Sequence, residues 1–305
     1  MTRDGVKVVR TVTQQLAQGH IQGFNLQDPG FEMYQRHGLK RLLSILMEFC
    51  KSRQRSRLSQ QWHRFRKRGG LWIQGEAQRV KLLSQEQDLS LNLHINLLKP
   101  NSSLTLYIGR GVTGTVYVDV YQANLTLFIG DGCCLEGLEI ASLQDNDEIL
   151  IGNRVQIGHA KRRLQEKVTL FSGGHSANCP FLIIGDDGLF SYGVTIRTTD
   201  AHPILDRHRQ HQVNASQRGV LIEPHVWVGQ NVSILKDVTV GACSIIALGS
   251  VVVKDIPRGS LAAGVPASHR SLKGKLWTHS SSPKGIARAQ AFSDRYLDGQ
   301  DEVNL

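Results

Sequence analysis

From Ile222 to Val252 an aliphatic residue returns at every sixth position, through Val228, Ile234, Val240 and Ile246, without one slip of register. A second series falls four residues after each of these, at Val226, Val232, Val238, Ser244, Ser250 and Ile256. A small or turn residue often comes directly after the aliphatic, as at Gly229 and Gly241. A period of six matches neither the helix, at about 3.6, nor the strand, at about 2. It matches a triangular solenoid in which each hexad forms a short strand on one prism face and a turn at a corner, three hexads making a coil of about 18 residues. The aliphatic residues point inward, and stacking buries a column of Val, Ile and Leu that no coil could hide alone.

The same beat runs through Ile184, Phe190 and Ile196, breaks at residues 198–219, and restarts at Ile222, so 198–219 reads as an inserted loop. Further upstream LYIG, LFIG, LIG and LIIG recur with glycines at 109, 130, 152 and 185, at intervals of 21, 22 and 33 residues. These irregular steps indicate looser coils with extra residues at the corners. The predicted architecture is therefore all-β: a parallel β-helix over 100–272, preceded by a basic, partly helical extension over 1–99 and followed by a tail over 273–305. The 30 glycines against 8 prolines suit repeated turns better than a flexible linker.

The formal charge of +10 is concentrated in one place. Between Arg36 and Lys81 stand 13 Lys or Arg against Glu48 and Glu76, and the rest of the chain carries 23 basic and 24 acidic residues. Within this segment Leu39, Leu42, Leu43, Leu46 and Phe49 fall at helical spacings. A basic amphipathic helix suits an anionic membrane surface or an anionic polymer, and its plain alternative is a solvated helix packed on the rest of the protein. No nucleic-acid-binding motif accompanies the charge, so no nucleic-acid partner is expected. The apolar stretch Leu42 to Phe49 is interrupted by Ser44 and Glu48 and falls far short of the roughly 20 residues of a membrane span. The amino terminus, MTRDGVKVVRTV, has no secretory h-region. A cytoplasmic protein, peripheral on the inner membrane face if the basic segment binds there, is the expectation. Cysteines 50, 133, 134, 179 and 243 form no CxxC pair or metal-ligand spacing and read as reduced thiols.

Two stretches carry a resemblance: TTDAHPILD in the inserted loop, and HVWVGQNVSILKDVTVGACSIIALGSVVVKDIPRGSLAAGVPA in the final coils. Over about residues 180 to 270 the chain resembles the left-handed β-helix, hexapeptide-repeat acyltransferases, in the branch of galactoside, maltose, nodulation-factor and capsular-polysaccharide O-acetyltransferases. The resemblance supplies the left hand of the helix. It also implies a homotrimer with active sites in the clefts between prisms, acetyl-CoA as donor, no metal, and a carbohydrate acceptor, most closely a bacterial capsular or exopolysaccharide.

Acetyl transfer to a hydroxyl needs a base, because an alcohol is a poor nucleophile at neutral pH, and histidine suits that role. His202, followed by Pro203, occupies the position of the family's catalytic histidine, and Asp200 is either the group that orients its imidazole or an ordinary loop carboxylate. Trp227 matches the tryptophan that lines the family's cleft, with packing against a neighbouring subunit as its structural alternative. Gly229 and Gln230 stand at the oxyanion donor, where a serine is frequent, so the role is expected of a peptide group. Ala247, Leu248 and Gly249 mark the corner along which the pantetheine arm lies, although Leu248 replaces a frequent alanine. Lys254 resembles the family's phosphate-contacting lysine, Ala262 opens the closing turn with Ala263, Gly264 and Pro266, and Arg270 is a second phosphate candidate. His208, His211 and His225 are expected to face solvent or acceptor, His225 with the best claim to the site. The rival readings are an amino-sugar N-acetyltransferase, a zinc hydratase using His175 and His202, whose ligand spacing is missing, and a non-catalytic scaffold.

Overall fold

A computed structural model describes residues 70–84, 89–158, 167–173 and 181–297. The basic segment 36–69, with its expected helix, lies outside the described residues, as do Cys50, Cys179 and His175. The described chain coils as a three-sided parallel β-helix. One face stacks Val80–Ser84, Leu104–Ile108, Leu125–Ile129, Glu148–Ile151, Phe181–Ile184, Gly219–Ile222 and Val238–Val240 in that order. From residue 156 onward a second face carries Val168–Ser172, Thr195–Arg197, Ser233–Ile234 and Val251–Val252, and a third carries Gln156–Ile157, Leu189–Phe190, Trp227–Val228, Ile245–Ile246 and Ser260–Gly264.

The hexad aliphatics form one column per face. Ile184, Ile222 and Val240 are ladder partners on the first, Ile196, Ile234 and Val252 on the second, and Phe190, Val228 and Ile246 on the third. Every aliphatic of the six-residue series, and every member of the series four residues later, is at most 3% exposed. Each full burial of this kind is worth roughly 1.5–3 kcal/mol. The corners share one backbone device: His225, Asn231, Asp237, Cys243 and Gly249, again six residues apart, all have φ between 55° and 71°. Four of the five are not glycine, so the left-handed turn costs about 1–2 kcal/mol at each, offset by the ladder bonds it permits.

Glycine has a different duty. The residues at 109, 130, 152 and 185 follow ladder-paired isoleucines or their equivalents on the first face, and each lies against the backbone of the coil below. A Cβ on Gly130 would sit 2.7 Å from the Gly152 backbone, and one on Gly152 would sit 2.7 Å from Asp186 N. The uneven intervals of 21, 22 and 33 residues thus each separate two ladder-paired strands of this face.

The ladder reaches further toward the amino terminus than residue 100. Leu71–Gln74 pairs in parallel with Ser90–Leu97, which pairs with Thr113–Val120, and Val80–Ser84 pairs with Leu104–Ile108. In these early coils one strand of eight residues does the work of two faces. The split comes at Cys134–Ser142, whose start pairs with Gln156–Ile157 and whose end pairs with Val168–Ser172. Gly137, at φ 76°, takes the extra residue where the register shifts.

At the other end the chain reverses. Ser260–Gly264 turns through the cis Val265–Pro266 bond into Ala267–Ser271, the antiparallel strand that finishes the third face. The chain then returns along the prism to the helix Pro283–Tyr296, whose first turn is capped by Ser282 Oγ accepting from Gly285 N at 3.1 Å. Phe292 and Tyr296 pack against Ala242 and Cys243 at a corner. Cys133 and Cys243 are buried reduced thiols, and burial pushes each up to about 12. Among the described residues no helix is long and apolar enough to cross a membrane.

Candidate active site

The inserted loop leaves the prism after Thr195–Arg197 on the second face and rejoins it at Gly219 on the first. Its tip is a small antiparallel turn, with Leu205 bridged to Gln212 and Val213 N donating to the Ile204 carbonyl at 2.8 Å. Its return is fixed by Asp237, whose Oδ1 accepts from Ser216 Oγ and from the peptide N–H groups of Gln217, Arg218 and Gly219 at 2.8 to 3.1 Å.

Asn214 organises the part that bears His202. Its amide nitrogen donates to the His202 carbonyl and to Asp200 Oδ2, both at 2.9 Å, and its oxygen accepts from Ile204 N at 2.7 Å. The His202–Pro203 unit is bracketed on both sides by one side chain, while His202 itself faces solvent. Asp200 is bonded to Lys236 and Asn214, so it steadies the loop backbone in place of the imidazole it was expected to orient. Partial burial pushes the Asp200 carboxyl up, but the hydrogen bonds from Lys236 and Asn214 and the charges of Lys236 and Arg197 outweigh this and hold it below its ordinary value. Arg197, Thr199, Asp200, Leu235 and Lys236 line a pocket of about 230 Å³ at the root of the loop.

A second group of expected site residues lies on the third face and its corner. Trp227 is 40% exposed, and Leu248 is 70% exposed. Gly249 stands at the same corner, where a Cβ would meet nothing within 4 Å, leaving the backbone open to a ligand. Gly229 is tighter: its N–H donates to the Ile246 carbonyl at 2.8 Å, so it is spent in the ladder and drops out as an oxyanion donor. The Gln230 carbonyl accepts from Gly249 N at 2.8 Å. Ala247 N donates to the Ala262 carbonyl at 2.8 Å, and the Ala262 side chain is fully buried in the core, so only its backbone reaches the face. Arg270 is exposed on the terminal antiparallel strand opposite Leu261. Lys254 is exposed two residues beyond Val252, at the edge of the second face shared with Lys236. The structure thus separates the His202 loop and Trp227 onto different corners of one prism.

His225 departs from expectation. It is buried, with Nδ1 2.9 Å from Asp187 Oδ2 and Nε2 3.1 Å from the Trp277 carbonyl, while Trp277 Nε1 donates to the His225 carbonyl at 3.0 Å. Its ring is stacked on Trp277 and Phe292, at centroid distances of 4.1 and 5.0 Å. Asp187, His225 and His279 bring three possible metal ligands together, but the Asp187 carboxylate is already engaged by both histidines and by Arg154 and Arg288. This is a clasp holding the carboxyl-terminal segment to the prism. Its carboxyl-terminal partners are 52 residues or more from His225, and Asp187 is 38 away, beyond the reach of any local sequence signal. Arg197, Asn214 and Lys236 were also missed, although Arg197 stands directly before the TTDAHP motif.

The architecture is a left-handed hexapeptide-repeat β-helix. The polySia-specific acetyltransferase NeuO superposes with a TM-score of 0.54 at 25% identity, over 74% of this chain and 93% of that one. The chain is 37% identical over 120 residues to a polysialic acid O-acetyltransferase of Escherichia coli O1:K1, covering 39% of this chain and 35% of the relative. It is 40% identical over 85 residues to the galactoside O-acetyltransferase of Escherichia coli K12, covering 27% of this chain and 40% of the relative. The sequence matches to these two O-acetyltransferases therefore span well under two-thirds of their length. No protein-family profile matches the chain.

Proposed function

We propose that this protein transfers the acetyl group of acetyl-CoA to a sugar hydroxyl of a bacterial capsular or exopolysaccharide. One observation carries the reading: His202 is presented to solvent by a loop braced through Asn214, Asp200 and Lys236, in a chain related to polysialic acid and galactoside O-acetyltransferases. His202 takes the proton of the acceptor hydroxyl as its oxygen attacks the thioester carbonyl. The tetrahedral intermediate then collapses, expelling the CoA sulfur, which receives that proton from His202.

The donor lies along the open corner of Ala247, Leu248 and Gly249, with Lys254 and Arg270 as phosphate partners. Because the His202 loop and Trp227 occupy different corners, the complete site is formed between neighbouring prisms of a trimer. The protein works at the cytoplasmic side of the membrane, with residues 36–81 contacting an anionic surface or polymer. An amino acceptor is not favoured, since the relatives are named for O-acetylation.

The test is His202→Ala assayed with polysialic acid and with simple galactosides. Turnover is expected to fall by about 10²–10⁴, with acetyl-CoA affinity within twofold of the parent. A variant that keeps full turnover removes His202 as the base.

A further inference from the structure

Arg197 is the last residue of the second-face strand before the loop. Ile196 beside it points into the core, so Arg197 points outward, and its guanidinium lies 4.8 Å over the ring of Phe171, its ladder neighbour. Its Nε is buried without a hydrogen-bond partner. The pocket it lines also holds Asp200 and Lys236, but these are bonded to each other and to Asn214. Among the described residues, Arg197 is the cation lining the pocket that makes no close ion pair, although its charge acts on Asp200.

Nε is closed off inside the fold, so any ligand in the pocket meets the two outer guanidinium nitrogens, which have no protein partner among the described residues. A guanidinium packed over an aromatic ring is held in place, and its two outer nitrogens match a carboxylate in two parallel hydrogen bonds. The pocket, at about 230 Å³, is smaller than the roughly 300–1,000 Å³ of sites that enclose a whole small molecule, which suits one group of a larger ligand. It opens at the root of the His202 loop, away from the corner of Ala247–Gly249 assigned to the donor.

We infer that Arg197 binds the carboxylate of an acidic sugar residue in the acceptor and so selects acidic glycans over neutral ones. This rests on the acetyltransferase reading for its substrate, but the binding itself is measured without turnover.

The probes are polysialic acid, which bears a carboxylate on every residue, and the same polymer with its carboxyl groups reduced to alcohols. Titration without donor should give wild-type protein a Kd at least tenfold tighter for the acidic polymer. Arg197→Gln should erase that preference, and Arg197→Lys, which keeps the charge but not the fork, should retain part of it. In turnover, Arg197→Gln should raise KM for polysialic acid about tenfold and leave KM for acetyl-CoA unchanged.

The inference is overturned if the wild type binds both polymers equally or neither, or if Arg197→Gln weakens both alike. It is also overturned if KM for acetyl-CoA rises instead, or if the variant changes oligomeric mass, which would assign the guanidinium to a subunit contact. Carboxylate-dependent binding without acetyl transfer by the wild type would remove the transferase reading and leave Arg197 as a carboxylate-binding residue.

Discussion

Asp187→Asn should release the carboxyl-terminal helix while leaving the coils intact. Asp187 and His225 are within 2.9 Å, with side chains 1% and 2% exposed, whereas His279, Arg154 and Arg288 stand 3.4 to 3.5 Å away and are partly exposed. Leaving a buried hydrogen-bonding group without its partner costs about 1–3 kcal/mol, and the outer contacts add no more than about 1 kcal/mol each. Asparagine keeps the size and one acceptor, so a total of about 3 kcal/mol is expected. At 1.4 kcal/mol per decade this is roughly a 150-fold loss of protection against amide hydrogen exchange over Ile286–Tyr296. The strands at 233–234 and 245–246 should exchange as before. Protection of the helix within threefold of the parent, or a loss spread evenly through the coils, would refute the clasp. The acid limb supplies a second check. Burial pushes the Asp187 carboxyl up, but hydrogen bonds from His225 and His279, with their charge, outweigh it and hold the group well below its ordinary value. A depressed folded value means that the stabilisation is fully present above the unfolded value near 4 and is lost only as pH falls below it. Helix protection in the parent should therefore persist through pH 4 and fail at lower pH, a step that Asp187→Asn should not show.

The two kinds of glycine should respond differently to alanine. Gly229→Ala places a Cβ 2.7 Å from Leu248 N and should cost about 1–3 kcal/mol or more, whereas Gly249→Ala meets open space and carries only the φ of 71°, about 1–2 kcal/mol. Equal melting shifts would defeat the close-approach argument at Gly229. Ile234→Ala, in the middle of a fully buried column, should cost about 2–5 kcal/mol in thermal or urea unfolding, and a loss under about 1 kcal/mol would mean that the core relaxes around the cavity.

The repeat was legible because its signal is local and periodic. Ile222 to Ile256 could be assigned inward from spacing alone, and the LxIG glycines marked coil closure even at irregular intervals. The coils before residue 100 were not read because their strands serve two faces and follow strand alternation, as Leu91, Leu93, Ile95 and Leu97 do, in place of the six-residue beat. The loop motif named His202 but not its support, since Asn214 and Lys236 reach it from 12 and 34 positions away. His225 was placed at the surface because hexad position alone cannot reveal a covering segment from the far end of the chain. The same distance hid the competition for Asp200, whose carboxylate is taken by Lys236.

The reversed strand Ala267–Ser271 has a consequence for how the molecule coexists with its own copies. A solenoid that ended on a bare parallel coil would offer the next molecule a matched template, and end-to-end growth into filaments would follow. Here the third face finishes on a five-residue strand running the wrong way, with Ser268, His269, Arg270 and Ser271 exposed along it. Short, polar and opposed in direction, it makes this face of the prism a poor start for another coil. A repeat that is in principle open-ended is thereby given a definite stopping point.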